Sequence, residues 1–476
     1  MSKDIQVFTA IDAKVVPAER LDILMLSTEG YAEMKTYNDL EIIKEKFAGK
    51  KIAAQIDRLF NQDHTLADTL IRRVRIAGIK NPQNTGGDPS VITVAFIGAA
   101  TEKPLEPSTT YYIKLGGKPV IPVKVGKAVP DNDKAYAALL KSATFTEDYV
   151  EFTAKQNDNG VVFTSTTRTP VSGYNETVGL FSDPECMVSM GLTGAQLVFQ
   201  NGRADVTRAE NLIAAIEGLR DIDDDFYIVM TDVTDEDCVE ALSAWAESTE
   251  PTEAALGAGV EDHRKFYFGQ TANKEYRNTH GRSAIIYTEK PSIDWADAAW
   301  VGNVGPFWPE SVTWKWKAPD GITPPDLRDS ERDILEENFV NFYTVEYKHQ
   351  YIKNGMCGDG NFIDNVLGAD YITQQMRENL YNIFLANANI GYTDAGFAVV
   401  ASGVYAALNR ATQLHIIAKD AESNSGIFNV VIPKRAEATD EQARNRIMPN
   451  IEWEAQLEGA VHGVKVRGVL RVTLNS

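Results

Sequence analysis

Few places in this sequence could do chemistry. The densest is Asp221-Ile222-Asp223-Asp224-Asp225, whose carboxylates could hold a hard cation. The run lacks the full spacing of a calcium loop and reads as a solvated loop between a helix and a strand. Gly358-Asp359-Gly360-Asn361-Phe362-Ile363-Asp364 resembles part of such a loop without its terminal Glu, and reads as a turn. Gly116-Gly117-Lys118 lacks the remaining residues of a phosphate loop and sits between apolar runs, as a hairpin turn does. Cys357 could be a nucleophile with His349 or His415, but such a site needs a spatial proximity that spacing does not supply. His64, His263, His280, His349, His415 and His462 are scattered, with no His-x3-His metal pair. Trp295, Trp300, Trp308, Trp314 and Trp316 could form a stacking platform. Core and interface packing is the better reading, with Trp314 and Trp316 alternating in a strand. No catalytic, cofactor-binding or metal-binding residue is therefore assigned.

The elements around these residues belong to an ordinary soluble chain. Its 476 residues suffice for two to four domains, and 43% hydrophobic with 24% charged residues provide a real core. The net charge of −20 disfavours nucleic-acid phosphates, which a protein binds through Lys and Arg. The basic groupings are short: Arg72, Arg73 and Arg75; Arg435, Arg444 and Arg446; and the last strand. Cys186, Cys238 and Cys357 are odd in number and far apart, which fits a reducing compartment. No apolar run approaches the ~18 residues of a spanning helix, and the start, MSKDIQVFTAID, lacks the apolar core of a signal peptide. Folding in a cytoplasm is expected.

Periodicity divides the chain. Leu21–Leu26 reads as a strand, Tyr37–Phe47 as a helix capped by Asn38, Ile52–Leu59 as a helix and Leu70–Ile76 as a strand. The turn-rich run Asn81–Pro89 marks a boundary. Short strands follow up to about Gln200 (Val91–Ile97, Thr110–Leu115, Val120–Val125, Tyr149–Ala154, Val161–Thr166), with one helix near Asp133–Ser142: an inserted β-rich domain. From Asp205 strands and helices alternate. Leu212, Ile216 and Leu219 share a helix face. Phe226–Met230, Lys265–Gly269 and Ala284–Thr288 are strands, Thr234 opens a helix and Ser292 caps another. Ile372, Met376, Leu380 and Phe384 recur every four residues, as do Val400, Val404 and Leu408, with Thr393 as a cap. Phe428–Ile432 is a strand and Thr439–Arg446 a polar helix. The fold class is α/β, α+β overall, and multidomain.

Both ends of the chain alternate with period two. Ile5, Val7, Thr9 and Ile11 form one apolar set. Ile451, Trp453, Ala455 and Leu457 form another, and Val464, Val466, Leu470 and Val472 a third in opposite phase across Gly459–Gly463. As a hairpin, the last two would set Glu458 against Lys465 and Glu452 against Arg471. Alternation alone favours pairing inside the subunit's own sheets; exchange with a neighbour is the other option.

Further motifs bear on that choice. The order Gly360-Asn361-Phe362-Ile363-Asp364-Asn365-Val366-Leu367-Gly368-Ala369-Asp370-Tyr371-Ile372, then Tyr392-Thr393-Asp394-Ala395-Gly396, then Arg446-Ile447-Met448-Pro449-Asn450-Ile451 and Gly459-Ala460-Val461-His462 resembles the contractile-tail sheath proteins of bacteriophages. The branch is one long filed as a family of unknown function. Phe268-Gly269-Gln270-Thr271, Ala284-Ile285-Ile286-Tyr287, Asp297-Ala298-Ala299-Trp300 and Phe60-Asn61-Gln62 accompany them. The likeness covers most of 5–80 and 205–476. Asn389-Ile390-Gly391 stands where the family commonly has a Pro-containing turn.

The resemblance implies a structural protein without cofactor. Its partners would be its own copies in stacked six-fold rings, the tail tube protein, and baseplate and tail terminator proteins. It would contact no nucleic acid directly and insert in no membrane. It would be assembled in the host cytoplasm, reside in the virion tail, and contract to deliver the genome. The implied domains are an arm at 1–20, an α/β middle domain at 21–85 plus 201–350, an outer β-rich insert at 86–200 and an inner α+β domain at 351–476. Ile5, Val7, Thr9 and Ile11, and Val464, Val466, Leu470 and Val472, become intersubunit strand arms, which overturns the preference for internal pairing. Arg377, Arg435, Arg444 and Arg446, with Glu378, are the candidate tube contacts. The competing expectations are a cytoplasmic α/β hydrolase or transferase with a β-rich lid, and another tail or baseplate part.

Overall fold

A computed structural model describes residues 21–62, 71, 73–89, 91–95, 105–115, 121–141, 152–156, 160–165, 178–181, 196–200, 203–252 and 262–464. The arm residues Ile5, Val7, Thr9, Ile11, Val466, Leu470 and Val472 lie outside these, and so do Lys465 and Arg471 of the expected hairpin. The chain divides into two compact units, Gln83–Asn211 and the remainder.

The larger unit is built on an eight-stranded sheet of order β15-β14-β13-β12-β11-β1-β3-β2. Its strands are β1 (Ile23–Ser27), β2 (Ala32–Tyr37), β3 (Val74–Gly78), β11 (Ile228–Thr231), β12 (Phe266–Thr271), β13 (Ser283–Tyr287), β14 (Asn341–Glu346) and β15 (His349–Lys353). The six inner strands run parallel, and β2 and β15 close the edges antiparallel. Every residue of β1, β11, β12 and β13 is buried. That is why these segments read as continuous apolar runs: a parallel sheet is covered on both faces. One face carries α2 (Lys51–Phe60) and α7 (Ala296–Val304); α5 (Glu236–Ser248) packs on β12 and β13 from the other. Between the first face and its helices, Phe268 stacks on Trp314 at 4.8 Å and meets Trp300 edge-on at 5.9 Å. Trp300 Nε1 donates to the Trp314 carbonyl at 3.1 Å, so the indole is buried with its polar atom satisfied. The tryptophans Trp295, Trp300 and Trp314 are core, as the packing reading expects. Trp314 and Trp316 do not share a strand, however. Trp316 has a left-handed backbone and is 48% exposed. We call this sheet with its helices the body.

The remainder of this unit is a C-terminal lobe. Two long helices, α9 (Ile363–Ala386) and α10 (Asp394–Gln413), pack side by side over a second core of Tyr371, Ile372, Met376, Val404, Ala407, Leu408, Ala411, Ile416 and Ile417. A Cβ on Gly403 would lie 2.9 Å from Ile383 Cδ1, so glycine permits the close helix approach. The ribbon β16 (Phe428–Val431) and β17 (Glu452–Ala455) lays Phe428, Val430, Trp453 and Ala455 on this core. The second strand of the expected terminal hairpin lies, beyond Val464, outside the described residues. The Ile451–Leu457 segment takes β16 as its partner, Leu457 bridges to Ile417, and Val464 is in no strand and 81% exposed.

The smaller unit holds the four-stranded antiparallel sheet β10-β4-β8-β7 and the three-stranded sheet β6-β5-β9. Its elements are β4 (Val91–Ala95), β5 (Thr110–Leu115), β6 (Ile121–Lys124), α3 (Asp133–Lys141), β7 (Phe152–Gln156), β8 (Gly160–Ser165), β9 (Val178–Phe181) and β10 (Gln196–Gln200). Its two ends meet through bridges Thr85–Val206 and Asp88–Arg203, the latter reinforced by an ion pair at 2.7 Å. A Cβ on Gly87 would lie 2.0 Å from the Arg203 carbonyl, so the crossing needs glycine.

Several local expectations change. The first helix, α1 (Leu40–Lys46), is capped by Asp39, not Asn38: the Asp39 carboxylate accepts from the amides of Glu41 and Ile42. The Leu70–Ile76 strand is β3, starting at Val74. Thr234 does not open α5, which follows Asp235, and Ser292 lies inside the short helix α6 (Pro291–Asp294) rather than at its cap. The helix sharing Leu212, Ile216 and Leu219 is α4 (Arg208–Arg220), as its spacing predicts, with α8 (Asp329–Glu337) before β14 and the polar α11 (Asp440–Asn445) capped by Thr439.

Candidate functional site

In a sheet of this topology a ligand is held beyond the carboxyl ends of the strands where the order reverses. Here that point lies between β1 and β11, since β3 follows on one side and β12, β13 and β14 on the other. The protein fills it with its own groups. Asp232, just past β11, accepts from the Thr28 amide at 2.9 Å, the Thr28 hydroxyl at 2.8 Å and the Ser27 hydroxyl at 3.0 Å. Burial pushes its carboxyl above the usual range even with these donors. The amino end of α2, where an anion would be favoured, is also taken: Glu29 Oε2 accepts from the Lys51 amide at 2.7 Å. Behind them Gln55 Nε2 donates to the Thr231 carbonyl and to Asp297 Oδ2, each at 3.0 Å. Burial pushes Asp297 up to about 7. The crevice that would recognise a nucleotide is stitched shut by carboxylates, which would repel one.

The opposite, amino edge of the sheet carries the largest group of buried charges. Asp370 of α9 accepts from Arg264 Nη1 at 3.0 Å, Arg282 Nη2 at 2.5 Å and the Tyr227 hydroxyl. Burial works against this carboxylate, but Arg282 and Arg264 hold it below its ordinary value. Arg264 also meets Asp262 at 2.9 Å and Glu250 at 3.1 Å. Lys265 Nζ donates to the carbonyls of Asp224 and Phe226 and pairs with the Asp224 carboxylate at 2.9 Å; burial lowers this lysine to about 8. Asp224 is 7% exposed and also bonded to Arg220 at 3.0 Å. The acidic run is therefore not simply a solvated loop: Asp223 pairs with Arg75, and Asp224 belongs to the buried network. Of the Arg72–Arg75 grouping, Arg75 is thus paired and Arg73 lies 3.5 Å from Asp22, while Arg72 lies outside the described residues. Such a network fixes α9 on the sheet; each charge faces its opposite.

The remaining chemical candidates resolve as structure. Cys357 is fully buried and its thiol is pushed well above the usual range by burial, the reverse of an activated nucleophile. His415 meets Glu458 at 3.1 Å, and His349 is exposed on β15. Asn361 donates to Asp359, closing the Gly358–Asp364 turn. Among the described residues no group of His, Cys, Asp or Glu could hold a metal ion, and no helix is long and apolar enough to cross a membrane.

The C-terminal lobe is different. Among the described residues, most of the large apolar side chains that stay exposed, from Phe384 and Leu385 through Val431 and Ile447 to Val461 and Val464, lie between residues 384 and 464. Among the described residues the ribbon β16–β17 is a two-stranded sheet, so each of its strands has an outer edge there. An exposed edge is a template for a further strand. The Tyr392–Gly396 motif builds the start of α10. Thr393 accepts from the Gly396 amide at 3.2 Å, and a Cβ on Gly396 would lie 1.8 Å from the Gly391 carbonyl. Arg435 is held here: its Nε donates to the Tyr392 carbonyl at 2.9 Å and its guanidinium lies over the Tyr392 ring. Of the expected surface cations, Arg444 and Arg446 are exposed, but Arg377 is 2% exposed on the inner side of α9 and is not presented to a partner. Glu378 beside it is half-buried. Alternation and helical spacing do not reveal the Asp370 network. Its one signal is an Asp inside the apolar stripe of Ile363, Leu367 and Tyr371.

Neither a family model nor a curated protein matches the sequence. Among solved structures, the chain is similar to a chain of the anti-feeding prophage baseplate (10% identity, TM-score 0.42, covering 57% of this chain and 76% of the other). It is similar to the contracted helical sheath of the same prophage (11%, 0.40, 56% and 77%). It is also similar to a sheath tail protein from Desulfitobacterium hafniense (10%, 0.41, 87% and 91%).

Proposed function

We propose that this chain is a structural subunit of a contractile tail sheath: it forms stacked six-fold rings around a tail tube and shortens to drive the tube through a host envelope. The observation that carries the reading is the ribbon β16–β17, open-edged among the described residues, on a lobe rich in exposed apolar side chains, in a sequence whose first and last stretches alternate as strands do. Strand addition supplies backbone hydrogen bonds that do not depend on how the outer domains pack. Ile5, Val7, Thr9 and Ile11 at one end and Val464, Val466, Leu470 and Val472 at the other would add to ribbons of neighbouring copies. The mesh would then survive while bodies and inserts slide between two packings. The motif order in 360–462 supports the same family.

The partners in this reading are sister subunits, the tube protein, the baseplate and the tail terminator, in a virion tail assembled in the host cytoplasm. The domains are the arm 1–20, the middle domain 21–85 with 201–350, the outer insert 86–200 and the inner domain 351–476. The chain has no catalytic role and needs no cofactor; the work comes from assembly free energy. Arg444 and Arg446 remain candidates for the tube, at about 0–1 kcal/mol per exposed ion pair. That weakness suits a surface that must release its partner.

The test is microscopy of the purified full chain beside one lacking residues 1–20. Long hollow cylinders are expected from the first and folded single particles from the second. Cylinders of normal length from the shortened chain, or only small discrete oligomers from the full one, would overturn the reading.

A further inference from the structure

Helix α5 turns a row of carboxylates toward the connection between β12 and β13. Glu236 accepts from Asn273 Nδ2 at 2.8 Å, Glu240 Oε2 from the Tyr276 hydroxyl at 2.8 Å and Glu247 Oε1 from the Gly281 amide at 3.0 Å. Glu240 and Glu247 stand about two helical turns apart, on one face. His280 lies between them with both ring nitrogens engaged. Its Nε2 is 2.9 Å from Glu240 Oε1 and its Nδ1 is 2.5 Å from Glu247 Oε2. We propose that His280 is held as a doubly protonated imidazolium, a built-in cation that latches two turns of α5 to the β12–β13 connection, and that the latch fails when the ring gives up a proton.

The contacts themselves fix the charge. A neutral imidazole has one N–H and one lone pair. Whichever nitrogen lost its proton would set that lone pair against a carboxylate oxygen. Turning the ring over would set carbons against both carboxylates and make neither bond. A proton shared with a carboxylate stays on the ring, because Glu is the stronger acid, at about 4.3 against about 6.5. The charges around the site agree. Asp359, in the Gly358–Asp364 turn, comes against Gly281, where a Cβ would lie 2.8 Å from its Oδ2, and adds a third carboxylate. The Tyr276 phenol, pushed up by burial and by Glu240, stays neutral. Arg282, the nearby cation, is engaged by Asp370 through Nη2 at 2.5 Å. Burial works against the charged ring, but the bonds to Glu247 and Glu240 outweigh it and raise the imidazole above its ordinary value. A base raised in the folded state adds stability that is complete below about 6.5 and is lost as pH rises through the folded midpoint. The bonds from Asn273, Tyr276 and Gly281 do not titrate with the ring, so the connection stays seated and the charge itself is what must be read.

Nitrogen NMR of the full-length chain with isotope-labelled histidine reads both ring nitrogens directly, in solution for a monomer and in the solid for cylinders. His280→Gln identifies the resonances by their loss. Both nitrogens should carry protons together, with a titration midpoint above that of the same residue in the urea-unfolded chain. Glu240→Gln and Glu247→Gln should each lower it. A folded midpoint at or below the unfolded one, or one that ignores both carboxylate variants, overturns the proposal. Urea denaturation gives a second reading. At about pH 6 the folding constant of the wild type should exceed that of His280→Gln roughly two- to fivefold, the scale of a half-exposed ion pair, and the ratio should shrink by about pH 9. A ratio that grows with pH has the opposite sign and overturns the proposal as well. Neither measurement needs the sheath reading, so the latch stands or falls by itself.

Discussion

The body and the C-terminal lobe use the same secondary structure to opposite ends. In the body the central strands are covered on both faces, the crevice at the strand switch is closed by Asp232 and Glu29, and buried charges are paired. In the lobe, among the described residues, a two-stranded ribbon shows its edges and apolar side chains reach solvent. Burial stabilises a chain in proportion to the apolar area it removes from water, and an open edge invites a partner. The difference teaches where to look for function: in the half of the molecule left unfinished.

The largest expected effect lies where the two regions meet. Asp370→Ala leaves Arg264 and Arg282 buried without their shared carboxylate and should cost about 3–5 kcal/mol, read by urea denaturation. A loss below about 1 kcal/mol would mean that the network does not join helix to sheet. Next comes a pair that sets the regions directly against each other. Trp300→Ala, in the body core, should lose about 3–5 kcal/mol. Trp453→Ala, half-buried on the ribbon, should lose less than about 2 kcal/mol yet abolish cylinders. Equal losses, or cylinders from the ribbon variant, would erase the distinction. The smallest effect is Thr393→Ala, which removes the cap of α10 for about 1 kcal/mol by the same denaturation assay, and should be confined to the lobe.

How much of this was legible follows from the range of the forces. The buried strands of the body are continuous apolar runs, and α2, α9 and α10 show helical spacing, so local pattern sufficed for them. Thr393 as a cap and the short strand Thr110–Leu115 are equally local. Strand β2, Ala-Glu-Met-Lys-Thr-Tyr, is hidden because its Tyr37 fits the neighbouring helical spacing as well; β9 and β10 are not among the expected strands. The partner of β17 is a tertiary choice: β16 is separated from it by α11, and alternation within Glu452–Ala455 does not say which strand it meets. The Asp232 stitch joins residues more than 200 positions apart in the chain. Arg377 illustrates the same limit, since a charged residue on a long helix is expected outside until its neighbours are known.

The Asp370 carboxylate reaches residues that lead into three adjacent strands: Tyr227 before β11, Arg264 before β12 and Arg282 before β13. A pull on α9 is therefore shared among three strands at once instead of falling on one. Because a close-packed interior transmits strain with little give, the helix and the sheet turn together as a single stiff lever.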